Sequence, residues 1–110
     1  MARGDKSALP GGTAMLVLAL LKTREMYGYE IIEELEKRSD QVFQMKEGTL
    51  YPVLHSLEKE KLVTARDQEA PSGRKRRYYR ITAAGLRALE AKKEEWQVYA
   101  RAVTAILANA

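Results

Sequence analysis

Two extended stretches, 62–69 and 76–82, flank Ala70-Pro71-Ser72-Gly73 in a chain whose other apolar residues recur mostly at helical spacing. Extended segments on either side of a Pro-Ser-Gly turn signal predict a β-hairpin with a mobile tip. Side chains alternate along a strand, so Tyr79 and Ile81 point one way and Tyr78 and Arg80 the other. Any fold for this chain has to place that hairpin among helices.

Four helices are expected around it. Ala14 to about Thr23 is almost entirely apolar and dominated by Ala, Leu and Met, which suits a buried helix capped by Thr13. Gly28 reads as a break after Met26 and Tyr27; beyond it Ile31, Ile32 and Leu35 recur at helical spacing, with glutamates outside, as far as Ser39-Asp40. Gln41 to Met45 is a connector or a stub of strand. In the third helical stretch, Lys46 to Val63, the residues Leu50, Val53, Leu54, Leu57 and Lys61 cluster within about 60° on a helical wheel and form a buried face. Thr82 is a good N-cap for a long helix from Ala83 to about Ala108, whose apolar stripe is Leu89, Trp96, Tyr99, Val103, Ile106 and Leu107. Residues 1–12 combine Gly4, Pro10, Gly11 and Gly12 with charges and no period, the pattern of a flexible arm.

Three helices, a hairpin and one long helix is the order of a winged helix-turn-helix with a C-terminal extension. The expected fold is mainly α with a small β-hairpin wing (α+β). The expected organisation is an N-terminal arm at 1–12, a DNA-binding winged helix-turn-helix domain at 13–82 and a C-terminal dimerisation helix at 83–110.

Composition removes several function classes. At 110 residues, 45% of them hydrophobic, the chain suits one small globular domain. It has no cysteine, hence no disulfide or thiolate chemistry, and with His55 as the only histidine a zinc site would rest on carboxylates, so no metal or cofactor is expected. No nucleophile, base and orienter can be assembled and no glycine-rich phosphate loop is present, so an enzyme is not expected. The longest apolar run, Ala14 to Leu21, is too short to cross a bilayer and lacks a cleavage pattern after it, which leaves a cytoplasmic protein with no membrane partner.

The net charge of +4 permits nucleic-acid binding, and its distribution matters more than its size. Acids crowd Lys22 to Asp40 (Glu25, Glu30, Glu33, Glu34, Glu36), whereas Arg74, Lys75, Arg76, Arg77 and Arg80 gather after the turn signal. Opposite the leucines of the third helix lie Gly48, Thr49, Pro52, His55, Ser56 and Lys59, a set that is small, hydrogen-bonding or basic and free of acids. Such a face is either an ordinary solvated surface or one shaped for the major groove, where small residues allow close approach and Thr, Ser, His and Lys reach phosphates or base edges. The basic hairpin is either a solvated turn or a clamp on backbone or minor groove, with Arg74 and Lys75 at its tip and Arg77 and Arg80 packing along Tyr78. Tyr51 borders both faces of the helix and reads first as a packing residue whose hydroxyl can reach a phosphate. Pro52 falls in the second turn if the helix starts near Glu47, where it removes only the bond to Gly48, or in the first turn if Thr49 is the cap, where it removes none.

The segments "YGYEIIEELE", "EGTLYPVLHSLEKEKLV" and "SGRKRRYYRITAAGLRAL" together resemble, in order and spacing, the PadR family of bacterial transcriptional regulators, over about Gly12 to Leu89. The resemblance implies a dimeric winged helix-turn-helix repressor whose third helix and wing bind a palindromic operator. Carried over by position, Gly48, Thr49, Tyr51, Pro52 and His55 would lie at the operator, Lys59 near the backbone and Arg74 to Arg77 on the wing; the first and last helices would form the dimer interface. With the chain ending at Ala110, the resemblance is to the short subfamily without the larger C-terminal domain of the phenolic-acid-responsive members, so a phenolic-acid effector is not implied.

The last helix calls for a partner on physical grounds as well. About 26 residues of helix span about 39 Å, more than one small domain covers. Pairing with the same helix of a second copy gives a twofold interface that spaces two recognition helices one DNA turn, ~34 Å, apart, with Met15 and Leu18 packing there too. Lys92 interrupts the stripe, so either it snorkels out or the seam opens at that point. Trp96, with Tyr99 and Val103 as walls, is either an interface anchor or one side of a pocket for a flat hydrophobic or aromatic effector at the dimer centre, as the resemblance to drug-sensing members implies. The rival to a DNA-binding repressor is a winged-helix protein-interaction module that has lost DNA binding.

Overall fold

The computed structural model describes residues 12–110; the arm expected at the N-terminus lies, but for Gly12, outside the described residues. The elements run α1 (Gly12–Thr23), β1 (Met26–Tyr27), α2 (Gly28–Arg38), α3 (Glu47–Lys59), β2 (Val63–Glu69), β3 (Lys75–Ile81) and α4 (Ala83–Ala108). The three strands form one antiparallel sheet in the order β1-β3-β2, with Met26 opposite Tyr79, and Ala65 opposite Tyr79 on the other side. Helices α2 and α3 with the β2-β3 wing make a winged helix-turn-helix, and α4 leaves it as a long rod that stretches the molecule to 56 × 28 × 22 Å.

The periodic residues do as their spacing requires. Val17, Leu18, Leu20 and Leu21 of α1 form the centre of the core; Ile31 and Leu35 of α2, Leu50, Leu54 and Leu57 of α3, and Leu89 of α4 close on it. The sheet contributes Met26, Val63 and Tyr79. Tyr79 is 1% exposed while Tyr78, one step along β3, is half-buried on the other face. Burial pushes the Tyr79 phenol above its ordinary pKa, with the nearby Arg77 guanidinium pulling the other way.

Several local expectations are corrected. Thr13 does not cap α1 but lies buried inside its first turn, since the helix already includes Gly12. Gly28 is not a break: it opens α2, and the two residues before it are a strand. No periodicity can announce a two-residue strand, whose only identity is its pairing with β3. Lys61 is not on the buried face of α3, because the helix ends at Lys59 and the chain turns there, with Lys61 exposed at φ 64°. The hairpin tip is a hydrogen-bonded turn. The Gly73 N–H donates to the Ala70 carbonyl at 2.8 Å and the Ala70 N–H to the Arg74 carbonyl at 2.7 Å. Gly73 at φ +86° supplies the left-handed residue that a three-residue hairpin loop needs after its turn.

Thr82 caps α4 as expected, its hydroxyl oxygen accepting from the Gly85 N–H at 3.0 Å. The same hydroxyl donates to the Lys61 carbonyl at 2.8 Å, and the Thr82 N–H donates to the Leu62 carbonyl at 3.0 Å. This junction ties the start of α4 to the turn after α3.

Candidate nucleic-acid interface

Helix α3 starts at Glu47 with Lys46 as its N-cap, which puts Pro52 in the second turn, where only the hydrogen bond to the Gly48 carbonyl is lost. With Leu50, Leu54 and Leu57 buried, the outward face carries Gly48, Thr49, Pro52, His55, Ser56 and Lys59, all exposed. The six stand together as their spacing required, although the Ser56 hydroxyl is within 3.4 Å of the Glu60 carboxylate at the helix end. Nothing occupies the space within 4 Å of the position a Gly48 Cβ would take, so that part of the helix is open to a close approach.

Between the N-terminal turns of α2 and α3 and the tip side of the wing lies an open groove of about 480 Å³. Its walls are Tyr27, Gly28 and Tyr29 on one side, Glu47 and Tyr51 at the start of α3, and Arg74 to Arg77 on the wing. Tyr51 is half-buried and packs against Gly28 so closely that a Cβ there would lie 2.6 Å from the Tyr51 hydroxyl. It is a packing residue whose ring also lines the groove. Tyr27, Tyr29 and Glu47 escaped the sequence reading. The "YGYE" motif was visible, but only the fold brings its tyrosines, Tyr29 57% exposed, against the wing.

The wing cations differ in their surroundings. Arg74 and Lys75 stand exposed at the tip side of the hairpin. The Arg76 guanidinium lies 4.5 Å from the centre of the Tyr27 ring, a cation–π contact that holds its side chain along the groove wall. Arg77 is ion-paired, its Nη2 2.9 Å from Glu58 Oε2 and its Nη1 3.3 Å from Asp67 Oδ1. Arg77 therefore does not pack along Tyr78 as expected, since it lies on the opposite face of β3; Arg80 is exposed, and Arg66 of β2 lies over the Tyr78 ring at 5.2 Å. Arg66 also bonds Glu25, and that hydrogen bond holds the Glu25 carboxyl below the usual carboxylate range. Three acids of α2, Glu33, Glu34 and Glu36, lie elsewhere, beside Lys37 and Gln41, while Glu30 at the start of the helix pairs with Arg24 and accepts from the Tyr27 N–H.

On the long helix, Tyr99, Val103, Ile106 and Leu107 are 44%, 36%, 72% and 67% exposed in the single chain. Leu18 and Leu89, expected at the dimer face, are instead enclosed in the chain's own core at 0% and 1% exposure, because α4 packs on α1 at that level. Met15 and Trp96 are half-buried and line a small apolar cavity of about 190 Å³ with Gly12, Leu16 and Phe43. Trp96 and Tyr99 are in tilted contact, their ring centres 5.6 Å apart and their planes at 32°. Lys92 is half-buried, lining a shallow groove with Val53, Leu57 and Leu62.

A helix-turn-helix beside a basic hairpin and a long C-terminal helix defines a winged-helix protein. Residues 17–91 match the transcriptional regulator PadR-like family, and the chain belongs to that family, whose members are transcriptional regulators rather than enzymes. It is 37% identical over 79 residues to a transcriptional regulator of Mycobacterium tuberculosis, covering 72% of this chain and 70% of the relative. Among solved structures it is similar to a transcriptional regulator from Clostridium thermocellum, with a TM-score of 0.77 at 32% identity over 84% of this chain and 89% of that one. It is also similar to a PadR family transcription regulator from Clostridium difficile, with a TM-score of 0.74 at 35% identity over 86% and 96% of the two chains. No helix among the described residues is long and apolar enough to cross a membrane.

Proposed function

We propose that the protein is a sequence-specific transcriptional repressor that binds a palindromic DNA operator as a homodimer. The observation that carries this reading is the continuity of one surface. The exposed, acid-free face from Gly48 to Lys59 belongs to the same helix whose Glu47 and Tyr51 wall a groove with Arg74, Lys75 and Arg76, while Glu33, Glu34 and Glu36 of α2 line a separate surface. Thr49 and His55 face base edges, Lys59 and the wing tip take phosphates, and Pro52 is a rigid apolar part of the contact. The groove, lined by Tyr27, Tyr29 and Tyr51 opposite the wing cations, suits a backbone phosphate next to the recognition helix.

The exposed stripe Tyr99, Val103, Ile106 and Leu107 supports a twofold pairing of α4 with its copy, Met15 and Trp96 joining from the domain side. The apolar cavity beside Trp96 supports a second element of the reading: a flat hydrophobic or aromatic ligand at the dimer centre relieves repression. Titrating a planar aromatic dye while following the fluorescence of Trp96 tests it, and an unchanged signal removes the pocket. For DNA binding the test is a gel shift with the DNA upstream of the protein's own gene at two salt concentrations. Retardation that weakens steeply with salt is expected. No retardation at low salt leaves the rival, a winged-helix protein-interaction module.

A further inference from the structure

Within the basic run of the wing, Arg77 differs from its neighbours in carrying two carboxylates. Strand alternation puts it on the Tyr79 face of β3, toward α3, where its guanidinium meets Glu58 of the recognition helix at 2.9 Å and Asp67, its register partner on β2, at 3.3 Å. One planar group thus joins α3, β2 and β3. Three residues on from His55 in the helix, Glu58 stands about 60° round from it, so the junction borders the outward face of α3. The three groups together carry a net charge of −1, which leaves no cation there for a phosphate. We propose that Arg77 is a positioning residue: bridging Glu58 and Asp67, it sets the angle of the wing to the recognition helix, while Arg74 and Lys75 make the phosphate contacts of the wing.

The proposal rests on the DNA-binding reading and makes a prediction of opposite sign to simple electrostatics. Replacing Glu58 with Gln removes a negative charge from beside the DNA surface and releases Arg77. If Arg77 were a phosphate contact, operator affinity would rise and its salt dependence would steepen by nearly one charge in the log–log slope. If Arg77 is a strut, the wing loses its angle and operator affinity falls. The pair is partly exposed, so the expected loss is modest, about three- to fivefold.

The chain has no cysteine, so Ser72→Cys at the hairpin turn gives a single site for a fluorescent label whose anisotropy reports wing mobility without DNA. The expected result is weaker operator binding by Glu58→Gln and Arg77→Gln alike, with the wild-type salt slope, an unchanged melting temperature and lower anisotropy of the wing label. Equal or tighter binding by Glu58→Gln overturns the proposal, as does a salt slope reduced by about one phosphate in Arg77→Gln alone. If the wild-type protein retards no DNA, the repressor reading falls by itself. The strut then stands on the label: lower anisotropy in Glu58→Gln upholds it and unchanged anisotropy overturns it.

Discussion

Replacing Gly85 with alanine sets two effects of opposite sign against each other. In an exposed helix the change would stabilise, by up to about 1 kcal/mol, because alanine gives up less backbone entropy. At the first turn of α4, however, the added Cβ would lie 2.1 Å from the Leu62 carbonyl oxygen and 2.6 Å from Ile81 Cγ1. The isoleucine can rotate. The carbonyl oxygen would have to retreat by about 0.9 Å to reach the 3.0 Å that Cβ atoms respect, and it is held in place by the Thr82 N–H at 3.0 Å. The neighbouring bond from the Thr82 hydroxyl to the Lys61 carbonyl, 2.8 Å, would move with it. Overpacking of this kind costs about 1–3 kcal/mol, and a weakened hydrogen bond about 1 kcal/mol more. Against the helix-propensity gain the net is a destabilisation of about 2 kcal/mol, or a melting temperature lowered by about 10 °C for a domain of this size. Thermal and urea unfolding followed by far-ultraviolet circular dichroism, at one fixed protein concentration because a dimer is proposed, would measure it. Gly48→Ala is the matched control: nothing lies within 4 Å of its Cβ, so a small gain, about 0.5 kcal/mol, is expected. A Gly85→Ala protein as stable as the wild type, or more so, would refute the close approach of α4 to the turn after α3.

Gly28→Ala would push a Cβ to within 2.6 Å of the Tyr51 hydroxyl, so the ring must tilt in the groove; operator affinity is expected to fall several-fold, about 1 kcal/mol, and pairing the change with Tyr51→Phe should recover part of the folding stability. Lys59→Ala is expected to weaken binding to all sequences alike and to flatten the salt dependence by about one charge, whereas substitutions at Thr49 or His55 should change sequence preference; identical behaviour of all three in competition binding would contradict the assignment of the α3 face. Because the Arg66 hydrogen bond lowers the pKa of Glu25 on folding, the stabilisation it gives is complete above the usual carboxylate range and is lost as pH falls through that range towards the folded value. Urea unfolding at stepped acidic pH should therefore show a shallower loss of stability for Glu25→Gln than for the wild type.

Much of the architecture was legible because it is written in local chemistry. Apolar spacing located the buried faces of α2 and α3, the Thr82 hydroxyl marked the start of α4, and Pro71 with Gly73 marked the hairpin turn. The outward face from Gly48 to Lys59 follows from the same periodicity, since burying Leu50, Leu54 and Leu57 leaves those residues no other side. Lys61 shows where the reasoning overreaches: a wheel continues past a helix end that the chain itself has already turned away from. Leu18 and Leu89 show a second limit, because apolar spacing identifies a face to be covered but not whether the chain or its copy covers it.

By itself the sequence determined the order of the four helices and the β2-β3 hairpin, the crowding of acids and of bases in different segments and the absence of thiol chemistry, all properties of residue types and their spacing. Only the tertiary structure decided that Met26 and Tyr27 pair with β3, that Tyr27 and Tyr29 stand against the wing, and that Gly28 and Gly85 sit where another residue's atoms leave no room for a Cβ. It also decided that Arg77, one of four consecutive cations, spends its charge on Glu58 and Asp67. The physical reason is common to all of these: each depends on which groups meet across the fold, Glu58 and Arg77 being 19 positions apart, and local propensity carries no record of such meetings.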